Sequence, residues 1–230
     1  MDAPPIQPWK PAPATVRASA GVVDVWRADL TAVGEELEVL LCAEERGRAA
    51  RLRSERDRVL WARSRGVLRA LLGRYLNHDP RELRFALGPH GKPTLLPEGP
   101  APATAPSPAP VTAPSPAPAT APAPAADLRF NLSHSGTVAL YAVTAGREVG
   151  VDIECARERY TAEFLRAWVA REAAVKCLGL ALAASPPPSS PEADLWTTEL
   201  DLGPQATAAV AVEGGRHELR RWEWRNRALA

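Results

Sequence analysis

The spacing of apolar and polar residues predicts that the chain opens with a strand and continues into a long helical region. Residues 22–30, VVDVWRADL, are rich in the β-branched side chains that favour strands. Between 44 and 76 the apolar residues recur at helical spacing, which predicts one long or broken helix. Residues 83–87, LRFAL, predict a short strand after it.

A second series of elements follows in the C-terminal part of the chain. Residues 161–179 predict a helix, with Thr161 as its N-cap and Gly179 as its end. RFNLS and TVALYAV predict two strands on either side of a turn that contains a histidine. The predicted strands are 129–133, 137–143, 148–154 and the closing segments ADLWTTELDL, ATAAVAV and HELRRWEW.

The order of a helix followed by strands occurs twice, which predicts an α+β chain of two similar α/β halves joined near Gly146. We therefore expect a flexible N-terminus at 1–19, an N-terminal half at 20–146 and a C-terminal half at 147–230. Eleven of the 24 prolines lie between 97 and 124, where TAPSPAP occurs twice. This tract, about 97–126, predicts an extended, disordered insertion rather than a folded element.

Composition excludes several classes of protein. Lys and Arg number 28 and Asp and Glu number 27, so the net charge of +1 argues against a globally basic nucleic-acid binder. Three scattered cysteines are too few for a disulfide framework, and no run of apolar residues is long enough for a membrane helix. We expect a cytoplasmic protein that binds neither nucleic acid nor membrane.

The strand at 148–154 ends with two carboxylates that share a face. Asp152 and Glu154 are two residues apart, so both point to the same side of a strand. Their charges repel unless a cation lies between them, and Mg²⁺ prefers oxygen ligands. A solvated strand end with two unrelated acids is the alternative, and this pair alone does not exclude it.

The helix at 161–179 adds a second set of polar side chains. Trp168, Glu172 and Lys176 are spaced by four and lie on one face, with Arg171 beside them. Glu172 is a candidate third metal ligand and base, and the two cations are candidates for phosphate oxygens. An ordinary amphipathic helix with an exposed Glu–Lys pair is the alternative.

Two loops and an arginine-rich stretch are further candidates. Asn131-Leu132-Ser133-His134-Ser135-Gly136 offers hydrogen-bond donors to an anion, but Ser133 and His134 point to opposite faces of a strand, so they do not form a hydrolase pair. In Gly88-Pro89-His90-Gly91-Lys92-Pro93, Lys92 is able to reach a phosphate, although the spacing is not that of a P-loop. Residues 46–74 contain ten arginines, typical of a solvated helix face or of phosphate binding.

Taken in order, GPHGKPTL, FNLSHSG, GVDIE and WVAREAAVK resemble the 4′-phosphopantetheinyl transferases, of the type that activates surfactin synthetase. Each motif is weak by itself, but the ordered set is specific and covers about 20–227 apart from the proline-rich segments. The resemblance implies the fold of that family, two α/β halves related by a pseudo-twofold axis. Two similar halves in one chain further predict a monomer that forms an internal pseudo-dimer.

The resemblance also implies an activity and its residues. The family moves the phosphopantetheine arm of coenzyme A to a serine of an apo carrier protein (an acyl, peptidyl or aryl carrier domain) and releases adenosine 3′,5′-bisphosphate. Mg²⁺ is the implied cofactor, with Mn²⁺ as a substitute, and coenzyme A is the co-substrate. The matching positions are Asp152, Glu154 and Glu172 for the metal, Glu172 and Lys176 for catalysis, and Arg48, Arg51, Lys92, Ser133, His134, Asp152 and Lys176 for coenzyme A.

One departure from the family's pattern and two alternative functions stay open. Arg171 stands where the family usually has Lys, which keeps the charge but changes its geometry. A Mg²⁺-dependent phosphohydrolase acting on a nucleotide pyrophosphate would use the same acids with water as acceptor. A nucleic-acid module built on the arginine-rich helix would show steeply salt-dependent binding.

Overall fold

The computed structural model describes residues 8–88, 91–96, 127–180 and 194–225. The predicted insertion at 97–126 lies outside the described residues, as does most of the proline-rich segment after residue 180. In chain order the strands are β1 (Lys10–Pro11), β2 (Val22–Asp29), β3 (Phe85–Leu87), β4 (Pro93–Leu95), β5 (Leu128–Ser135), β6 (Val138–Ala145), β7 (Val149–Cys155), β8 (Leu195–Asp201), β9 (Ala206–Glu213) and β10 (Glu218–Glu223).

The predicted helix at 44–76 is broken into two. Helix α1 covers Ala43–Ala50 and helix α2 covers Glu55–Leu76, after a short 3₁₀ helix at Glu35–Leu40. The break occurs because Ser54 has extended backbone geometry and its side chain accepts a hydrogen bond from the Asp57 amide, which starts a new helix. Helix α3 covers Ala162–Cys177 and has Thr161 as its N-cap, as the sequence predicts.

Two sheets form the centre of the molecule. The larger has the order β1-β10-β2-β6-β5, in which β10 lies parallel to β1 and to β2 and the other pairs are antiparallel. The smaller has the order β7-β9-β8 and is antiparallel, and β3 and β4 form a separate hairpin. The α+β class is thereby confirmed, while the pseudo-twofold relation between the halves stays a prediction.

Alternate residues of each central strand divide between two packing faces. Trp26 and Ala28 of β2 pack with α2 in one cluster, and Val23 and Val25 pack with the smaller sheet in another. A third cluster joins Val169 and its neighbours on α3 to β9. The layers therefore follow the order α2, larger sheet, smaller sheet and α3. Alternate side chains of a strand point to opposite faces of its sheet, so each face presents its own set of apolar side chains to the next layer.

The last strand returns to the sheet built by the first half of the chain. Residues 218–223 pair in register with 22–27, and the Asp24 carboxylate accepts hydrogen bonds from Trp222 Nε1 and Tyr75 Oη, both at 2.8 Å. The predicted boundary near Gly146 falls at the turn between β6 and β7, where Gly146 has a φ of 71°. Within the described ranges, none of the helices combines the length and apolar character needed to cross a membrane.

Candidate active site between two strands and a helix

The candidate site begins with the close approach of β7 and α3. Gly150, Asp152 and Glu154 lie on one face of β7, because alternate residues share a face. A Cβ at Gly150 would lie 2.0 Å from the Ala173 carbonyl oxygen and 2.4 Å from the Cys177 amide nitrogen. Only glycine therefore allows the helix backbone to rest directly on the strand, next to Asp152.

Helix α3 places Lys176 against Asp152. The Lys176 ammonium donates to Asp152 Oδ1 at 2.6 Å and to Ser133 Oγ at 2.9 Å, and the Ser133 hydroxyl donates to the same Oδ1 at 2.8 Å. Three residues that are distant in sequence thus meet at one carboxylate oxygen. The sequence predicted all three as site residues, and the fold brings them together.

The other carboxylate oxygen of Asp152 has a different environment. Asp152 is 5% exposed, and its Oδ2 atom is buried with no hydrogen-bond partner among the described residues. A buried, unpaired carboxylate oxygen is costly unless a cation or donor compensates it. This oxygen is suited to bind a hard cation such as Mg²⁺, which takes one or two carboxylates and completes its shell with phosphate and water.

Glu172 lies near Asp152 and is buried, with 4% of its surface exposed. Burial raises the pKa of Glu172, and the Asp152 carboxylate raises it further, while Lys176 and Arg171 lower it by less. The repulsion between the two acids is the electrostatic situation that a bound cation relieves.

Glu154 has partners of its own in this structure. Its Oε2 accepts a hydrogen bond from Ser135 Oγ at 3.2 Å and lies 4.0 Å from Arg157 Nη2. Among the described residues, no three acidic, histidine or cysteine side chains are grouped closely enough to hold a metal. Asp152 and Glu172 thus fit a cation shared with phosphate, whereas the predicted set of three ligands is not gathered into a cage.

Strand β5 explains the Asn-Leu-Ser-His-Ser sequence. Asn131, Ser133 and Ser135 alternate along β5, and each hydrogen-bonds to β7. Asn131 Oδ1 accepts from the Val151 amide at 2.9 Å, and Ser135 Oγ accepts from the Cys155 amide at 3.0 Å. Sequence analysis did not assign roles to Asn131 or Ser135, although each is two residues from Ser133 and therefore shares its face of the strand.

His134 belongs to β5 rather than to the turn in which it was predicted. The turn is Gly136-Thr137, where Gly136 has a φ of 58° that favours glycine. The His134 side chain is exposed and lies on the opposite face from Ser133. Partial desolvation lowers the pKa of His134, the Lys176 charge lowers it further, and Asp57 at the start of α2 raises it.

Lys92 is engaged at the far end of the same strand and helix. Its ammonium donates to Glu148 Oε2 at 2.7 Å, to the Val149 carbonyl at 3.1 Å and to the Cys177 carbonyl at 3.3 Å. The Cys177 carbonyl belongs to the last turn of α3, so Lys92 ties the helix end to the start of β7. The structure does not bring Lys92 to Asp152, and its predicted contact with coenzyme A stays a prediction.

Arg48 and Arg51 lie near the end of α1 and are exposed. Arg48 lies over the Trp61 ring, 5.8 Å from its centroid, and neither arginine forms an ion pair with another described residue. Their predicted role in binding a phosphate stays a prediction. The buried arginines of α2, in contrast, are structural: Arg65 and Arg69 both bind Glu45.

An exposed aromatic stripe extends the functional face of α3. Tyr160, Phe164 and Trp168 are stacked in sequence, with ring centroids 5.0 and 6.1 Å apart, and each is more than a third exposed. They continue the spacing of four that leads to Glu172 and Lys176. The sequence analysis placed only Trp168 on this face and missed the other two, although Tyr160 and Phe164 have the same spacing of four residues.

Known proteins provide an independent comparison. The chain is 27% identical to 4′-phosphopantetheinyl transferase HetI of Nostoc sp. (strain PCC 7120) over 257 aligned positions, which span 94% of this chain and 98% of that protein. It is 30% identical over 118 positions to a protein of Synechocystis sp. (strain PCC 6803) that is provisionally named a 4′-phosphopantetheinyl transferase, spanning 51% of this chain and 37% of that one. No protein-family model matches. The resemblance to 4′-phosphopantetheinyl transferases that the sequence motifs indicated is confirmed, while the surfactin-synthetase-activating type stays a prediction.

Proposed function

Because the chain resembles the 4′-phosphopantetheinyl transferases along nearly its whole length, we propose that it transfers the phosphopantetheine arm of coenzyme A to a carrier protein. The acceptor is a serine hydroxyl of an apo acyl, peptidyl or aryl carrier domain. The serine oxygen forms a bond to the phosphorus that bears the arm, the bond from that phosphorus to adenosine 3′,5′-bisphosphate breaks, and the serine proton leaves.

One observation supports this proposal above the others: Lys176, Ser133 and Asp152 meet beside Glu172, with Asp152 Oδ2 left unpaired. Attack on a pyrophosphate is mainly a problem of charge and position, so it needs cations on the phosphates and an aligned acceptor. Lys176 supplies a cation at the site. Mg²⁺ would be held by Asp152 and Glu172, would gain Glu154 as a further ligand once that side chain leaves Ser135, and would neutralise charge on the pyrophosphate.

Glu172 is the residue best suited to remove the serine proton. Glu172 is a buried carboxylate close to Asp152 and Lys176, and a carboxylate within reach of the serine hydroxyl is able to act as a general base. Glu172 also lies on the helix face that leads to the aromatic stripe Tyr160, Phe164 and Trp168. A protein docked on that stripe is able to present its serine along the same face.

The decisive experiment is mass spectrometry of apo carrier proteins incubated with this protein, coenzyme A and Mg²⁺. We expect a mass gain equal to the phosphopantetheine arm. Asp152→Asn and Glu172→Gln should each lower kcat/KM by about 100- to 1000-fold, since each removes charge or basicity needed in the transition state. Thr144→Val is the matched control, because Thr144 has a buried hydroxyl that, among the described residues, donates to the Arg147 carbonyl and to no atom of the site.

Two results would contradict the proposal. Folded Asp152→Asn and Glu172→Gln variants with normal turnover would remove these residues from the reaction. Release of adenosine 3′,5′-bisphosphate at the same rate without any carrier protein would instead identify a phosphohydrolase.

A further inference from the structure

Strands β5 and β7 lie side by side but belong to different sheets. The larger sheet ends at β5 and the smaller one at β7, and no backbone pairing joins the two. The contact is made by side chains: Asn131, Ser133 and Ser135 reach across from alternate positions of β5. Asn131 and Ser135 bind backbone amides of β7, which fixes the strand, whereas the Ser133 hydroxyl bonds the side chains of Asp152 and Lys176.

The Ser133 hydroxyl has its proton and a lone pair both in use. It donates to Asp152 Oδ1 at 2.8 Å and accepts from the Lys176 ammonium at 2.9 Å, while Lys176 also donates to Oδ1 at 2.6 Å. Ser133 is 8% exposed, so water does not readily replace it. The Ser133 hydroxyl and the Lys176 ammonium therefore both donate to Oδ1 of Asp152. The other oxygen, Oδ2, has no hydrogen-bond partner among the described residues.

An ammonium has three donors and seeks an acceptor for each of them. Without the Ser133 lone pair, the nearest unpaired acceptor on the same carboxylate is Asp152 Oδ2. A lysine that turned to Oδ2 would compete with a cation for that atom. Partners that orient a metal ligand in this way typically change metal affinity about 10- to 100-fold when removed.

We propose that Ser133 is a positioning residue that holds Lys176 on Asp152 Oδ1 and thereby keeps Oδ2 for a divalent cation. The inference rests on the proposed function, because that function supplies the cation. It gives Ser133 a role different from the coenzyme A contact that the sequence predicted. The two roles differ in what a variant should change: affinity for metal in one case, and affinity for coenzyme A in the other.

The test titrates Mn²⁺ into the full-length protein, with and without coenzyme A, and follows the free ion by electron paramagnetic resonance. We expect Ser133→Ala to bind Mn²⁺ about 10- to 100-fold more weakly. Ser133→Cys, which retains a weak acceptor for Lys176 and a weak donor, should lie between Ser133→Ala and the unmodified protein. Thr144→Val, which also loses a buried hydroxyl, should bind Mn²⁺ normally.

A kinetic measurement separates positioning from substrate binding. In the transfer assay, Ser133→Ala should raise the Mg²⁺ concentration needed for half-maximal rate while the KM for coenzyme A stays unchanged at saturating Mg²⁺. A raised KM for coenzyme A with normal Mn²⁺ affinity would overturn the inference and restore the direct contact. Unmodified protein that transfers the arm but binds no Mn²⁺ would overturn the inference together with the proposed metal, whereas absence of transfer would count against the proposed function itself.

Discussion

Replacing Gly150 by alanine tests whether the contact between β7 and α3 builds the site. The added Cβ would lie 2.0 Å from the Ala173 carbonyl oxygen, where ordinary contacts begin at 3.4 Å, so the helix must move away by about 1.4 Å. The obstructing atoms are backbone atoms, which cannot rotate aside. Overpacking of this kind costs about 3 kcal/mol or more. In a chain of this size that loss lowers Tm by about 6–12 °C.

The same displacement separates Lys176 and Glu172 on α3 from Asp152 on β7. A misplacement of about 1 Å at a reacting centre can lower the rate about 100-fold. We therefore expect Gly150→Ala to lose about 100-fold or more in kcat/KM for transfer at a temperature where the variant remains folded. Differential scanning calorimetry and the carrier-protein mass assay measure the two effects on the same samples.

Two other glycines supply matched controls. A Cβ at Gly66 would lie 2.5 Å from the Leu37 carbonyl, away from β7 and α3, so Gly66→Ala should lower Tm but leave kcat/KM of the folded protein nearly unchanged. Gly47 in α1 has open space around it, and Gly47→Ala should stabilise the helix by about 0.5–1 kcal/mol. If Gly150→Ala retained full activity, or lost no more than Gly66→Ala, the close approach would not be what assembles the site.

Two further predictions concern stability. Glu45→Gln leaves Arg65 and Arg69 buried without their shared carboxylate, which should cost about 3–5 kcal/mol in urea denaturation; a loss below about 1 kcal/mol would show that the pair behaves like an exposed one. Burial raises the pKa of Asp24 above 3.8, because its effect is larger than that of the hydrogen bonds to Asp24. The protonated Asp24 side chain therefore contributes fully to stability below pH 3.8, and this contribution declines as pH rises through the pKa of Asp24 in the folded protein. Asp24→Asn does not ionise, so its stability relative to the unmodified protein should improve between pH 3.8 and neutrality, and parallel stability curves would contradict this reasoning.

Local patterns were sufficient for most of the secondary structure. The apolar spacing around α2, the Thr161 cap of α3 and the β-branched runs of the strands act within a few residues, and the structure confirms them. The break after α1 was left open because helical spacing continues through 51–54, and only the capping geometry of Ser54 decides it. His134 was placed in a turn because the sequence does not show how far a hairpin strand extends.

The sequence by itself determined the residue types and spacings that chemistry needs: acids two apart on a strand, Glu172 and Lys176 four apart on a helix, and serine at alternate positions. Only the tertiary structure decided which of these side chains meet. Lys176 contacts Asp152 because Gly150 allows α3 to pack directly on β7. Lys92 is an equally good phosphate ligand by residue type, but it binds at the opposite end of β7. Period and capping are local properties of the backbone, but a contact between distant residues depends on how whole elements pack.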